Sequence, residues 1–130
     1  MEAKTKQVVM LIDDSSTNNL LYENILSEEG YDIIVCEGAA SALKRMEKDI
    51  PDLILLDLMM PGMDGFSFIE KKNSNEKWHK IPVLMLTARI DSQSEDKAYK
   101  MGVLEYLIKP VGITEITAKI KKILEENRSR

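Results

Sequence analysis

Five short apolar runs punctuate the chain, each bounded by polar or turn-forming residues. Val8 to Ile12 (VVMLI) is unbroken in hydrophobic side chains, as a strand covered on both faces requires. Asp32 to Cys36, Leu53 to Leu56, Val83 to Leu86 and Glu105 to Ile108 repeat the signature and predict four more strands. Between the runs the period changes. After Ser15, Ser16, Thr17 and Asn18, which suit a helix cap, Leu20, Leu21, Ile25 and Leu26 recur at helical spacing until Gly30. Ala39, Ala40, Ala42, Leu43 and Met46 predict a second helix that must end near Pro51, and Phe66, Phe68 and Ile69 a short third. A fourth helix covers Ser92 to Met101 and closes at Gly102. The last sets Ile113, Ile116, Ile120, Ile123 and Leu124 on one face and Lys119, Lys121 and Lys122 on the other.

Asn73 to Lys80 predicts a polar, irregular connection holding Trp78 and the single histidine, His79, which reads as a solvated surface residue. The terminal EENRSR predicts a frayed tail. Strands alternating with helices, without internal repeat or low-complexity linker, favour an α/β fold: a doubly wound parallel five-stranded sheet of (βα)5 type, covered on both faces. At 130 residues the chain fits one domain, with a core over about residues 7–127 between a short polar N-terminal and a charged C-terminal tail.

Composition narrows the function. Hydrophobic content of 44% with 31% charged residues excludes wholesale disorder. A net charge of −4 supplies no bulk reason to bind nucleic acid. The single cysteine, Cys36, lies in the apolar run IIVC and reads as a small buried side chain, so neither a disulfide framework nor a cysteine metal site is available within the chain. The N-terminus is polar and too short for a signal peptide, and no apolar run approaches the roughly 18 residues of a membrane span, which leads to the expectation of a cytoplasmic protein.

In a doubly wound sheet the chemistry sits beyond the carboxyl ends of the strands. The loop after the first strand carries Asp13 and Asp14, the third strand ends in Asp57, the fourth is followed by Thr87, and the fifth by Lys109 and Pro110. Each residue alone has an ordinary role: Asp13, Asp14 and Asp57 as caps of turns or helices, Thr87 as a turn residue, Lys109 as a surface lysine. Together they deliver three carboxylates, a hydroxyl and an ammonium to one edge. Three clustered carboxylates need a cation to stay ionised together, and an oxygen-only donor set selects a hard ion such as Mg2+. A carboxylate can also be the nucleophile that accepts a phosphoryl group.

The pieces IDDS, LLDLMMPGMDG, LMLTAR and YLIKP, in this order, resemble a bacterial two-component response-regulator receiver domain of the chemotaxis type, over essentially all of Val8 to Asn127. The resemblance implies a flavodoxin-like sheet with strand order 2-1-3-4-5. It implies that Asp57 is the phosphoacceptor, that Asp14, Asp57 and the backbone carbonyl of Met59 hold Mg2+, and that Asp13 acts through a coordinated water. Lys109 would pair with the phosphoryl oxygens, a cis Lys109–Pro110 bond is expected, Thr87 would hydrogen-bond the phosphoryl group, and Tyr106 would swing inward as Thr87 moves. The implied partners are a sensor histidine kinase or histidine phosphotransfer protein and a downstream effector domain or protein, with a possible dimer through the helix 4, strand 5, helix 5 face. Departures from the family pattern fall at Leu104, Val111 and Gly112 on the output face, and Leu104 and Val111 point to an unusual partner surface. The implied domain is not an enzyme on external substrates, though it assists its own phosphorylation and dephosphorylation. Two rivals stay open: an aspartate-nucleophile phosphatase, which normally wants a second acid where Met59 stands, and a receiver-like adaptor that is never phosphorylated. A flavodoxin-like cofactor binder fits poorly, because IDDSSTNN puts two carboxylates where a phosphate would sit.

Overall fold

The computed structural model describes residues 6–60 and 62–128, the last without its side chain. Pro61 of the LLDLMMPGMDG motif, the first five residues of the polar N-terminal tail, and Ser129 and Arg130 lie outside the described residues. The elements alternate as β1 (Val8–Ile12), α1 (Ser16–Glu28), β2 (Asp32–Cys36), α2 (Ala39–Met46), β3 (Leu53–Leu56), α3 (Gly65–Asn73), β4 (Val83–Thr87), α4 (Ser92–Lys100), β5 (Glu105–Ile108) and α5 (Ile113–Arg128). All neighbouring strands pair in parallel, in the order β2-β1-β3-β4-β5, as the resemblance implied.

Alternation along each strand divides the interior between the two faces of the sheet. Val9, Leu11, Leu53, Leu55, Leu84 and Leu86 pack on one side with Tyr22 and Leu26 of α1 and with Ile116, Ile120, Ile123 and Leu124 of α5. Met10, Ile12, Ile54, Leu56, Val83 and Met85 point to the other, against Ala39, Ala42 and Met46 of α2, Phe68 and Ile69 of α3 and Ala98 of α4. A strand buried on both faces therefore reads as an unbroken hydrophobic run, and the one free choice at its end is the residue it presents to the strand-end loops.

Four expectations change. Leu20 and Leu21 are 61% and 50% exposed, and the buried face of α1 is Asn19, Tyr22 and Leu26. The Ser15 cap fixes the helical register: its side chain accepts the Asn18 N–H, and its carbonyl accepts the Asn19 N–H. Ile113 is 59% exposed, because as the first residue of α5 it precedes the turns that lie over the sheet. Trp78 is not part of a merely solvated connection; it is buried in the core under α3, held by turns in which its N–H meets the Asn75 carbonyl and its carbonyl takes the Ile81 N–H. The tail is helical rather than frayed as far as Arg128. His79 is exposed and Cys36 is buried, with its thiol pushed up by burial.

Candidate functional site

The carboxyl ends of β1 and β3 lie side by side at the middle of the sheet. Asp13 continues β1, its N–H meeting the Cys36 carbonyl at 3.1 Å, and Asp57 continues β3, its N–H meeting the Ile12 carbonyl at 2.9 Å. Both side chains are buried, whereas Asp14 is exposed. One oxygen from each of Asp13, Asp14 and Asp57 lies within 4.8 Å of the others.

The acids are held differently. Asp13 accepts the Ser15 N–H at 2.9 Å on Oδ1 and the Lys109 ammonium at 2.7 Å on Oδ2. Asp57 accepts the Met59 N–H at 3.2 Å on Oδ1 and stands 3.4 Å from Lys109 through Oδ2. The Asp14 carboxylate has no hydrogen-bond or ion-pair partner among the described residues. Lys109 reaches this place because β5 ends in register with β4, where its N–H meets the Thr87 carbonyl at 2.8 Å. The Lys109–Pro110 bond is cis, as expected.

Burial pushes the Asp57 carboxyl above the usual carboxylate value, and the Lys109 charge and the Met59 amide offset this only in part. Burial alone would depress the Lys109 ammonium, but its bond to Asp13 and the charges of Asp57 and Asp13 outweigh that and raise it. The two directions agree with the distances: the ammonium is well paired, chiefly to Asp13, and Asp57 is the less completely compensated acid. Three carboxylates against one ammonium leave two formal negative charges on an oxygen-only donor set, which suits a hard divalent cation. Asp13 is held more tightly than Asp57, with contacts of 2.9 and 2.7 Å against 3.2 and 3.4 Å, which fits a contact through water for Asp13, while the Asp14 carboxylate is left open to an ion. A cleft of about 510 Å³, lined by Met46, Ile50 and Trp78 among others, lies at the opposite edge of the sheet and carries no such constellation.

Thr87 is the last residue of β4, not the first after it, and is fully buried. Its Oγ1 accepts the Arg89 N–H at 3.1 Å and makes no hydrogen bond to the three acids. Tyr106, expected to turn inward as Thr87 moves, is already inside; its hydroxyl donates to the Arg89 carbonyl at 3.0 Å and its N–H to the Tyr99 hydroxyl at 3.1 Å. The Arg89 carbonyl supplies the partner that keeps the phenol buried. Sequence reasoning missed Asn19 and, at Gly65, saw only a motif glycine and not the close approach it allows. Gly65 donates its N–H to the Leu58 carbonyl and lies so close to the chain after Asp57 that a Cβ would stand 2.9 Å from the Leu58 Cα. The Asn19 amide donates to the Asp13 carbonyl at 2.8 Å; the signal available was an amide beside two leucines at the start of a helix.

A family model for the response regulator receiver domain matches residues 9–121. The chain belongs to this family. The alkaline phosphatase synthesis transcriptional regulatory protein PhoP of Bacillus subtilis is 34% identical over 122 residues, covering 94% of this chain and 50% of that protein. A crystallised response regulator from Desulfuromonas acetoxidans superposes with a TM-score of 0.83 at 30% identity, covering 92% of this receiver domain and 97% of that chain. The Vibrio cholerae chemotaxis protein CheY4 gives 0.86 at 24% identity, covering 92% and 99%, which shows the shared fold. The receiver domain spans about half the length of the curated relatives first matched. Among the described residues no helix is long and apolar enough to cross a membrane. Of the three departures from the family pattern, Leu104 and Gly112 are exposed, whereas Val111 is half-buried against the α5 side of the core.

Proposed function

We propose that Asp57 accepts a phosphoryl group from the phosphohistidine of a sensor histidine kinase or histidine phosphotransfer protein. An Asp57 oxygen attacks phosphorus, the P–N bond breaks with its electron pair staying on the imidazole, and the carboxylate becomes an acyl phosphate. The observation that carries this reading is the placement of Asp57: a strand-end carboxylate with incomplete charge compensation, 3.4 Å from a lysine ammonium and grouped with two further acids. Asp14, Asp57 and the Met59 carbonyl would hold Mg2+, with Asp13 acting through water. When bound, the ion supplies positive charge to the phosphoryl oxygens beside the nucleophile. Lys109 is poised to exchange its Asp57 contact for a phosphoryl oxygen while keeping Asp13.

The switch is electrostatic with a packing readout. Phosphorylation adds about −1.5 to −2 charges and three acceptor oxygens. Drawing the Thr87 hydroxyl toward them disturbs its bond with the Arg89 N–H, and Arg89 in turn holds Tyr106 and, through Nε, Asp91 at the start of α4. Because Tyr106 is already inside, the motion is carried by residues 88–91 rather than by entry of the ring. The face built from α4, β5 and α5 then changes shape for a downstream effector domain, an effector protein or a second copy. On this reading the domain is a cytoplasmic phosphoacceptor and turns over no external substrate.

Incubation with acetyl phosphate and Mg2+, followed by intact mass spectrometry, tests this. One phosphoryl group is expected on the wild type, none after EDTA treatment and none on Asp57→Asn. Phosphate release in many turnovers from an unrelated phosphoester would overturn the reading in favour of a phosphatase.

A further inference from the structure

Helix α1 buries the wrong residue. Leu20 and Leu21 are exposed to solvent, while the neighbouring Asn19 is 5% exposed on the same face as Tyr22 and Leu26. An aliphatic side chain at that position would bury apolar surface on the sheet, and an amide there is unfavourable unless it is hydrogen-bonded. Its partner is the Asp13 carbonyl, at 2.8 Å.

That carbonyl belongs to the peptide unit joining Asp13 to Asp14. The peptide is planar, so fixing the Asp13 C=O also fixes the Asp14 N–H and the direction in which the chain enters Asp14. The other pocket acids do not depend on such help. Asp13 is tied through Oδ1 to Ser15 and through Oδ2 to Lys109, and Asp57 through its backbone to Ile12 and through its carboxylate to Met59 and Lys109. Asp14 has no hydrogen-bond or ion-pair partner among the described residues. We propose that Asn19 is a positioning residue for the acidic pocket: its amide holds the Asp13–Asp14 peptide plane and so aims the exposed Asp14 carboxylate at the cation. The proposal rests on the reading of the pocket as a Mg2+ site, and it assigns Asn19 no contact with the ion.

Two readouts separate this role from a general contribution to folding. Calorimetric Mg2+ titration of the full chain compares wild type, Asn19→Leu, which keeps the volume and removes the donor, and Leu26→Val, which trims the same buried face two turns away. In EDTA, 15N relaxation reports the order of the Asp14 amide in the same three proteins. Asn19→Leu is expected to weaken Mg2+ binding about tenfold, the scale on which a residue behind a metal ligand acts. The order parameter of its Asp14 amide should fall from about 0.85 toward 0.6. Leu26→Val should keep both, and acetyl phosphate labelling of Asn19→Leu should recover at saturating Mg2+. Should Asn19→Leu not fold, Asn19→Ala is read by the same criteria. An affinity within about twofold of wild type with an unchanged Asp14 amide, or equal losses in the Asn19 and Leu26 variants, overturns the proposal. A wild type that takes up no Mg2+ overturns the metal reading, while the Asp14 amide in EDTA still decides whether Asn19 holds the peptide.

Discussion

At position 65 there is no room for a side chain. A Cβ on Gly65 would stand 2.9 Å from the Leu58 Cα and 3.1 Å from the Asp57 carbonyl oxygen, both backbone atoms that cannot rotate aside. The chain leaving Asp57 is pinned there by the Gly65 N–H to the Leu58 carbonyl and by Asp64, whose side chain caps α3 at the Ser67 N–H. Gly65→Ala is therefore expected to lower stability by about 1–3 kcal/mol, the usual range for overpacking, and to slow acetyl phosphate labelling by displacing Asp57. Urea unfolding and labelling time courses measure both; an alanine variant with wild-type stability and rate would show that the close approach is dispensable. The charged members of the site were legible because each stands at the end of an apolar run, where topology alone collects them. The tightness at Gly65 and the bond from Asn19 were not, since contact of a residue with distant or turned-back main chain leaves no period in a sequence.

The elements themselves were legible wherever a run was long and uniformly apolar, and the strands appear within a residue of their expected ends. Faces of helices were harder. Adjacent Leu20 and Leu21 fit a helical repeat with Ile25 and Leu26, but the cap at Ser15 settles which stripe meets the sheet, and a cap that can sit on any of several hydroxyl residues is not resolved by spacing. Trp78 was missed because irregular chain has no repeat from which burial can be read. Lys72 was missed for the opposite reason: a lysine in α3 reads as solvated, yet it is buried, its ammonium donating to the His79 carbonyl at 2.9 Å and to Asn73 Oδ1 at 3.2 Å. Burial lowers it to about 8. Because the folded value lies below the unfolded one, near 10.5, the charged lysine opposes folding in full below pH 8. That penalty fades as pH rises through 8 to 10.5, where the unfolded chain binds the extra proton. Relative to Lys72→Met, the wild type is expected to gain about 2–3 kcal/mol between neutral pH and the unfolded lysine value. Urea denaturation at several pH values measures the gap, and a gap that does not change with pH contradicts the burial of a charged ammonium.

Across the whole molecule, one parallel sheet with a core on each face leaves its carboxyl edge as the place where charge can be gathered at little packing cost. Asp13, Asp57 and Lys109 stand there directly after β1, β3 and β5, and Thr87 closes β4. From Thr87 a chain of contacts runs through Arg89 to Asp91 at the head of α4 and to Tyr106 on β5, so the pocket and the α4–β5 corner share one set of hydrogen bonds. On the proposed reading, a charge added at Asp57 is passed along these contacts to a surface about one element away. Among the aspartates of the pocket, Asp57 alone is expected to become the acyl phosphate. Borohydride reduction of the labelled protein converts an aspartyl phosphate to homoserine, and tandem mass spectrometry of its peptides then locates the converted residue. Homoserine at position 57 and at no other aspartate is the expected result; conversion at Asp13 or Asp14, or label surviving on a histidine or hydroxyl with Asp57 intact, would contradict the account.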